Sequence, residues 1–574
     1  MTSFPSKNYS QYVEKFRLKI AMENDYSFNS SFDVVIIGAG GSGLACALFL
    51  AEANPKLKIA VLCKTYAMGS HTTSAKGGIN AALGNVKEDS VEFHIYDTIK
   101  AGKGLCDEVP TRRMCQEAPF VIGYLEKIGV EFDRILSGKA LGKVDQRTYG
   151  GQTVEFGKDL ANRACFVKDY TGHEIMKKLN DEVSGHENIS IFNYHQVIDC
   201  EFDTDYSNII AYDISSGDLK VFGAKFVVFA TGGFSQIYAT NSSSSLCTGC
   251  GHRILLQNGF HFKDIELVQF HPTGLKGLGI LISEACRSQG GYLRNSNGER
   301  FMEKYHEMQE LAPRDVVARA IFNETQTGDV FLDLTHIEKS IILDKLTSSY
   351  TVAKHFAGID LTQNPLPVFP TAHYNMGGMD VDENYSLNGS NLFAIGELAC
   401  ASVHGSNRLG CNSLLELFTS AKIVTNTISS AILPTTFTSI KPQILDGTIK
   451  KLAKFSPNSN ISLKDILKIR EEVCLIMDKS ASIVKNEKSM QIALDQISGI
   501  YKDIMHINNF SSTQFDENFI VLFELQSMVL MAKSVLIGAL FRKHSIGSHY
   551  REDFPFTIEN PRHSNLNHLF NIYS

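Results

Sequence analysis

The run Asp33-Val34-Val35-Ile36-Ile37-Gly38-Ala39-Gly40-Gly41-Ser42-Gly43-Leu44-Ala45-Cys46-Ala47-Leu48-Phe49-Leu50-Ala51 decides the fold. Its opening residues are mostly β-branched, which favours a buried strand. Gly38, Gly40, Gly41 and Gly43 interrupt the apolar run, so it reads as strand, turn and helix rather than as a membrane span. Lys58-Ile59-Ala60-Val61-Leu62 follows as a second buried strand and completes a βαβ opening. In that setting Gly38, Ala39, Gly40, Gly41, Ser42 and Gly43 fit the dinucleotide fingerprint G-x-G-x-x-G. The first glycine permits the turn and the second lets the backbone approach a pyrophosphate. The third lets helix and strand pack closely, with the helix N-terminus toward the phosphates. The acidic ribose ligand usual at the end of the second strand is replaced by Cys63-Lys64, which counts against a generic NAD site.

Two later segments repeat the strand-to-glycine pattern. These are Phe226-Val227-Val228-Phe229-Ala230-Thr231-Gly232-Gly233 and Leu392-Phe393-Ala394-Ile395-Gly396-Glu397. Such distant returns predict a nucleotide domain with a large insertion. From about Phe437 helical periodicity takes over, clearest over Leu463 to Met477 and Met490 to Met505, and the tail after Phe541 turns polar.

A chain of 574 residues exceeds one core, so several domains are expected. Its 43% hydrophobic and 20% charged residues are those of an ordinary globular protein. A formal charge of -7 argues against non-specific nucleic-acid binding. The 12 cysteines are scattered without a disulfide framework, which suits a reducing compartment. Met1 to Ser30 hold no apolar core of secretory type, and Glu14, Glu23 and Asp25 make a poor transit peptide. Val34 to Ala51 reads as the only long apolar stretch, so membrane association is expected through partners.

Several motifs carry more specific information. Gly69-Ser70-His71-Thr72-Thr73-Ser74-Ala75-Lys76-Gly77-Gly78-Ile79-Asn80-Ala81-Ala82-Leu83-Gly84-Asn85 resembles the covalent-flavin segment of the succinate dehydrogenase and fumarate reductase flavoproteins. Phe270-His271-Pro272-Thr273-Gly274, Arg314-Asp315-Val316-Val317-Ala318-Arg319, His373-Tyr374-Asn375-Met376-Gly377-Gly378 and Ser402-Val403-His404-Gly405-Ser406-Asn407-Arg408-Leu409-Gly410 resemble the same family. So does Gly547-Ser548-His549-Tyr550-Arg551-Glu552-Asp553-Phe554, and the resemblance runs from about Phe32 to Phe554.

That resemblance implies an α/β fold. It has a Rossmann-like FAD-binding domain over 32–267 and 368–436 and an inserted capping domain over 268–367. A C-terminal helical domain over 437–540 and a tail over 541–574 complete it. It implies FAD bound covalently to His71, with further cofactor contacts from the glycine loop, Lys64, Thr72, Gly77, Gly78, Cys250, Glu397, Ser413 and Leu414. Asn412-Ser413 also reads as a helix N-terminus, a natural place for a flavin phosphate or carbonyl. The resemblance assigns the carboxylates of succinate or fumarate to His271, His373 and Arg408, helped by the Ser283 hydroxyl. It gives proton transfer to Arg314, recharged through Glu284 and Arg287. It further implies an iron–sulfur subunit, membrane anchor subunits reached through it, and electrons passed to a quinone pool. The setting would be the cytoplasmic face of a bacterial inner membrane or the matrix face of the mitochondrial one.

The residues themselves agree on the kind of chemistry. A buried dicarboxylate needs paired positive or donor groups, and Arg314, Arg408, His271 and His373 are of that type. Arginine normally keeps its proton, so an acid role for Arg314 requires a neighbouring chain that replaces it. The alternative is a structural salt bridge from Arg314 to Asp315.

Four departures from the family pattern stand out. Cys250 replaces an FAD-binding Asp, and a thiol cannot accept the same charged hydrogen bonds. Lys76 replaces Gln or Glu, a cation expected to stabilise reduced flavin. Ser283 replaces Thr, and Ile546 replaces Arg. Cys247 and Cys250 spell C-x-x-C, but no second such pair exists and His252 is one residue too far for haem attachment, so no metal is expected. The rival reading is an L-aspartate oxidase-like flavoenzyme, favoured by Glu310-Leu311-Ala312-Pro313-Arg314-Asp315 and by Gly358-Ile359-Asp360-Leu361-Thr362-Gln363-Asn364-Pro365. His71 speaks against it, as does Tyr149, which stands where the oxidase offers a Glu to the substrate amine. The direction of the reaction, the quinone and the anchor subunits are not legible.

Overall fold

The structure is a computed structural model of the chain and describes residues 31–203, 206–387, 389, 391–431, 461–507 and 514–566. The segment 1–30 and the expected domain boundary near 436 lie outside the described residues. The chain opens as the sequence predicts. Strand β1 (Ser31–Ile37) leads through the glycine loop into helix α1 (Gly41–Ala53), then strand β2 (Ile59–Leu62). Both strands are buried on both faces from Val34 onward, which is why they read as continuous apolar runs rather than alternating ones. Strands β3 (Ile189–Phe192), β4 (His195–Glu201), β5 (Ser207–Asp213) and β6 (Asp218–Phe229) complete the order β3-β2-β1-β6-β5-β4.

The first four of that order pair in parallel, while β5 is antiparallel to both β6 and β4. The glycine loop therefore leaves the sheet at the carboxyl ends of β1 and β2, where open α/β sheets bind ligands. A Cβ on Gly43 would lie 1.9 Å from the Gly38 carbonyl oxygen, so only glycine lets α1 pack this close.

The chain then builds a second sheet from β7 (Val268–Leu275), β8 (Tyr292–Arg294), β9 (Val330–Asp333) and β10 (Leu366–Asn375), in the antiparallel order β7-β10-β9-β8. Helices α2 (Arg314–Glu324) and α3 (Thr347–Ala357) accompany it, and its core, including Leu293, Val317, Ile321, Leu332 and Val368, is separate from the main one. Strand β10 crosses residue 367/368, where the sequence divides cap from nucleotide domain. Strand β11 (Leu392–Ala394) then re-enters the first sheet, parallel to β6. It delivers the chain to helix α4 (Asn412–Ala431).

The C-terminal helices are α5 (Leu463–Ser480), α6 (Glu487–Ile504) and α7 (Glu517–Phe541). Ser462, Asn486 and Asp516 cap them by accepting from the N–H groups of Asp465, Ser489 and Phe519. Helix α7 corrects the expectation of a single long apolar stretch. It is long and apolar enough to cross a membrane by length and composition, yet 89% of its most apolar window is buried inside the protein. It is apolar all round because α5, α6 and the nucleotide domain surround it.

Candidate active site

A long cleft runs from the glycine loop to the second sheet and encloses about 1630 Å³ of empty space, its open mouth included. Gly38, Ala39, Gly40, Gly41 and Ser42 line one end, and Gly43 stands behind them in the helix. The loop is tied to the flavin-type segment by the Gly41 N–H, which donates to Thr72 Oγ1 at 3.2 Å. Lys64, His71, Gly77, Gly78, Cys250, Glu397, Ser413 and Leu414 all line the cleft. Lys64 is neutralised from far along the chain, by an ion pair to Glu524 on α7.

This end fits a dinucleotide. Gly232 lines the cleft at φ 73° and a Cβ there would meet nothing within 4 Å, so a side chain would occupy ligand space. Ser70 Oγ and Thr231 Oγ1, on residues lining the same cleft, are buried without a hydrogen-bond partner. His71 accepts the Ser244 N–H on Nδ1 at 3.2 Å, which leaves Nε2 for another group. Desolvation, reinforced by Arg408, pushes the His71 imidazole down to about 4, so it is neutral at pH 7.

The other end is built where several elements meet. His271 comes from β7 and His373 from β10, with ring centres 5.2 Å apart. Ser283 and Glu284 come from the segment after β7, Arg314 opens α2, and Arg408 precedes α4. All six line the cleft. Arg314 donates Nε to Glu284 Oε2 at 2.8 Å and Nη1 to Gln269 Oε1 at 3.1 Å. Arg287 does not line the cleft. It lies behind Glu284, with Nη2 3.7 Å from Oε2. Burial pushes the Glu284 carboxyl up, but Arg314 and Arg287 outweigh it and hold the group below its usual range. Burial, then Arg314 and Arg287, keep His271 well below its ordinary value, and burial, His271 and Arg408 do the same for His373. Both rings are neutral at pH 7.

Arg408 is fully buried, and its Nε has no partner. Its guanidinium sits 4.5 Å from the centre of the Tyr374 ring and, among the described residues, donates only to the Leu409 carbonyl, at 3.3 Å. Burial and the neighbouring Arg314 bring it down to about 10, still charged at pH 7. Counting Arg287, Arg314 and Arg408 against Glu284 leaves the site with an excess of positive charge, trimmed by Glu397, which lines the same cleft and is raised by burial to about 7.

Some expectations need correction. Arg314 does not pair with Asp315. That carboxylate is taken by Arg319 at 3.1 Å and by Asn407 at 3.1 Å. Tyr149 does not face the cleft. It is buried behind Gly77 and gives its phenol proton to the Gly77 carbonyl at 2.8 Å. Lys76 lines the cleft but gives its ammonium to the Leu281 carbonyl at 2.8 Å, on the cap side. Ile546, where the family has Arg, is buried with Leu105, Leu267, Tyr374 and Met376. Among the described residues no cluster of His, Cys, Asp and Glu could hold a metal, and the cysteines are free.

Sequence reasoning overlooked several residues. Ser242 Oγ lies 2.8 Å from His373 Nδ1, and Ser244 holds His71. Both sit in a serine run whose only sequence signal was its composition. Gln269, two residues before His271, donates to Asn407 Oδ1 and the Arg408 carbonyl while accepting from Arg314.

Comparisons with known proteins bear on the family and the fold. The model of the FAD binding domain matches residues 33–414, and that of the fumarate reductase flavoprotein C-terminus matches 470–566. A succinate dehydrogenase flavoprotein subunit of Rickettsia conorii is 38% identical over 550 residues, covering 91% of this chain and 90% of its own. A fumarate reductase flavoprotein subunit of Haemophilus influenzae is 32% identical over 551 residues, covering 91% and 89%. A solved E. coli quinol fumarate reductase chain superposes with a TM-score of 0.85 at 30% identity, covering 93% of this chain and 94% of that one.

Proposed function

The chain belongs to the family of succinate dehydrogenase and fumarate reductase flavoprotein subunits, FAD-binding oxidoreductases, and from that premise we propose that it interconverts succinate and fumarate with FAD carried covalently on His71. The observation that carries this reading is Arg408, a buried guanidinium that lines the cleft beside Arg314 and has an unmet donor. A buried guanidinium with unmet donors is costly, and a small dianion supplies the missing charge and acceptors together. Arg408 holds one carboxylate in a planar fork, and the neutral rings of His271 and His373 and the hydroxyl of Ser283 donate to the other.

FAD, when bound, accepts or supplies the hydride. The glycine loop and the α1 N-terminus hold its pyrophosphate, Glu397, Ser413 and Leu414 its other end, and His71 Nε2 is the atom free to carry the link. The chain's own part is to orient the dicarboxylate, exclude water and move a proton. Arg314 gives that proton to the carbon opposite the hydride, and Glu284 and Arg287 restore it. A guanidinium can do this only because Glu284 touches it and Arg287 stands behind Glu284. The cap residues, 268–367, close over the site and complete the clamp.

The rest of the reading concerns partners. Electrons leave FAD for an iron–sulfur subunit and reach a quinone pool through membrane anchors, on the cytoplasmic face of a bacterial inner membrane or the matrix face of the mitochondrial one. A dye-coupled assay of the holoprotein tests the chemistry. It should oxidise succinate or reduce fumarate and leave L-aspartate untouched. Aspartate-dependent peroxide production would replace this reading with that of an oxidase.

A further inference from the structure

A second cavity lies against the first and encloses about 1080 Å³ by the same measure. It shares Ser74, Ala75, Lys76 and Leu281 with the cleft. Its wall includes Ser242, whose hydroxyl reaches His373 in the cleft at 2.8 Å. One layer of side chains therefore separates the two spaces, and Lys76 stands in it.

The state of Lys76 is unusual. Among the described residues its ammonium makes one hydrogen bond, to the Leu281 carbonyl at 2.8 Å, and no ion pair. Two of its three N–H donors are left over. Asp169 lines the same cavity but its oxygens are engaged, by the N–H groups of Ser348 and Ser349 at 2.8 Å each and by Ser349 Oγ at 3.0 Å. Burial makes the ammonium easier to discharge, and Asp169 opposes that only in part. The remaining wall is uncharged and rich in donors, with Asn241, Ser243, Ser245 and Ser348 among them. Asp169 offsets part of the Lys76 charge, but its oxygens already accept from Ser348 and Ser349 while Lys76 keeps spare donors, so the wall can still hold a hydrated anion at Lys76. Beyond it lies a site with an excess of positive charge.

We propose that this cavity is the antechamber through which a dicarboxylate dianion reaches the cleft, and that Lys76 draws the anion in by its charge and opens the neck by releasing the Leu281 carbonyl. The proposal rests on the dicarboxylate reading given above. Charge-lined approaches raise association rates by about 10- to 1000-fold, and salt suppresses the effect. Lys76 thus acts on entry rather than on the chemical step, and it favours dianions over monoanions.

Stopped-flow binding of malonate to the holoprotein, followed by flavin absorbance at low and high salt, tests this. In the wild type the on-rate should fall as salt rises. Lys76→Gln can still donate to the Leu281 carbonyl but has no charge. It should slow entry about tenfold at low salt and flatten the salt dependence, whereas Lys76→Arg should keep most of both. Val352→Trp, on the α3 wall of the cavity, should slow entry and exit by the same factor, at least about threefold, with the Kd unchanged. Wild-type malonate kinetics in Lys76→Gln at both salt levels, or in Val352→Trp, would overturn the antechamber and leave the dicarboxylate reading standing. A wild-type protein whose flavin does not respond to malonate, and which does not turn over succinate or fumarate, would overturn both.

Discussion

Nε and Nη2 of Arg314 both lie 2.8 Å from the same oxygen, Oε2, of Glu284. Nη2 of Arg287 is 3.7 Å from that oxygen on the other side. One carboxylate oxygen therefore joins two guanidiniums, and this is the shape a proton path through arginine requires.

Arg314→Lys keeps a charge and a proton but loses the planar fork that fixes the donor. Turnover should fall at least about a hundredfold, the low end of what a positioned acid contributes. Glu284→Gln should also slow turnover with little change in dicarboxylate affinity. In the double variant the losses should not multiply, because both cut one path. Steady-state fumarate reduction by the two singles and the double decides the matter, and fully multiplying losses would mean that Arg314 only clamps substrate.

His71→Ala should bind FAD yet release it all on acid precipitation, while the wild type, assembled with its partners, should keep flavin fluorescence on the polypeptide. Ser244 fixes the ring only through its backbone N–H, so Ser244→Ala should retain the covalent flavin. Quantitative release of flavin from the wild type would refute the link.

Arg408→Met removes a fully buried charge that has the Tyr374 ring beneath it. Losing one partner of a buried charge pair costs about 2–5 kcal/mol. The KM for succinate or fumarate should therefore rise at least about thirtyfold, with flavin content unchanged. A KM within a fewfold of wild type would place the carboxylate elsewhere.

Acid should destabilise the protein before its carboxylates titrate. Burial, joined at His94 by the charge of Arg163, pushes His94 and His252 from 6.5 down to about 3. Below pH 6.5 the unfolded chain binds protons at these two rings that the folded chain refuses. Stability therefore falls with pH, by about 1.4 kcal/mol per unit for each ring. Glu397, raised by burial from 4.5 to about 7, works the other way between those values and offsets one ring. His252 has no hydrogen-bond partner on either nitrogen and sits edge-on to Phe234. His252→Leu should flatten the acid limb by about 1.4 kcal/mol per unit in denaturant titrations from pH 6.5 to 4.5. An unchanged slope would show that the ring titrates normally.

The opening βαβ unit was legible because its signals are local. β-Branched runs, a glycine turn and an apolar helix follow one another within Asp33 to Leu62, and each residue's preference is set by its chain neighbours. The returning strands at Phe226 and Leu392 were legible for the same reason, and the separate motifs together identified the family. Tertiary structure decided what those motifs face. Tyr149 stands behind Gly77 because its buried phenol finds an acceptor there, the Gly77 carbonyl at 2.8 Å. Lys64 reads in the sequence as a cofactor contact, and nothing local shows that it also pairs with Glu524, 460 residues away on a largely buried apolar helix. Lys76 turns to a cap carbonyl 205 residues on. No local preference encodes such partners. They follow from which buried groups must find a counter-charge once sheets and helices have packed, and that requirement exists only in the folded chain.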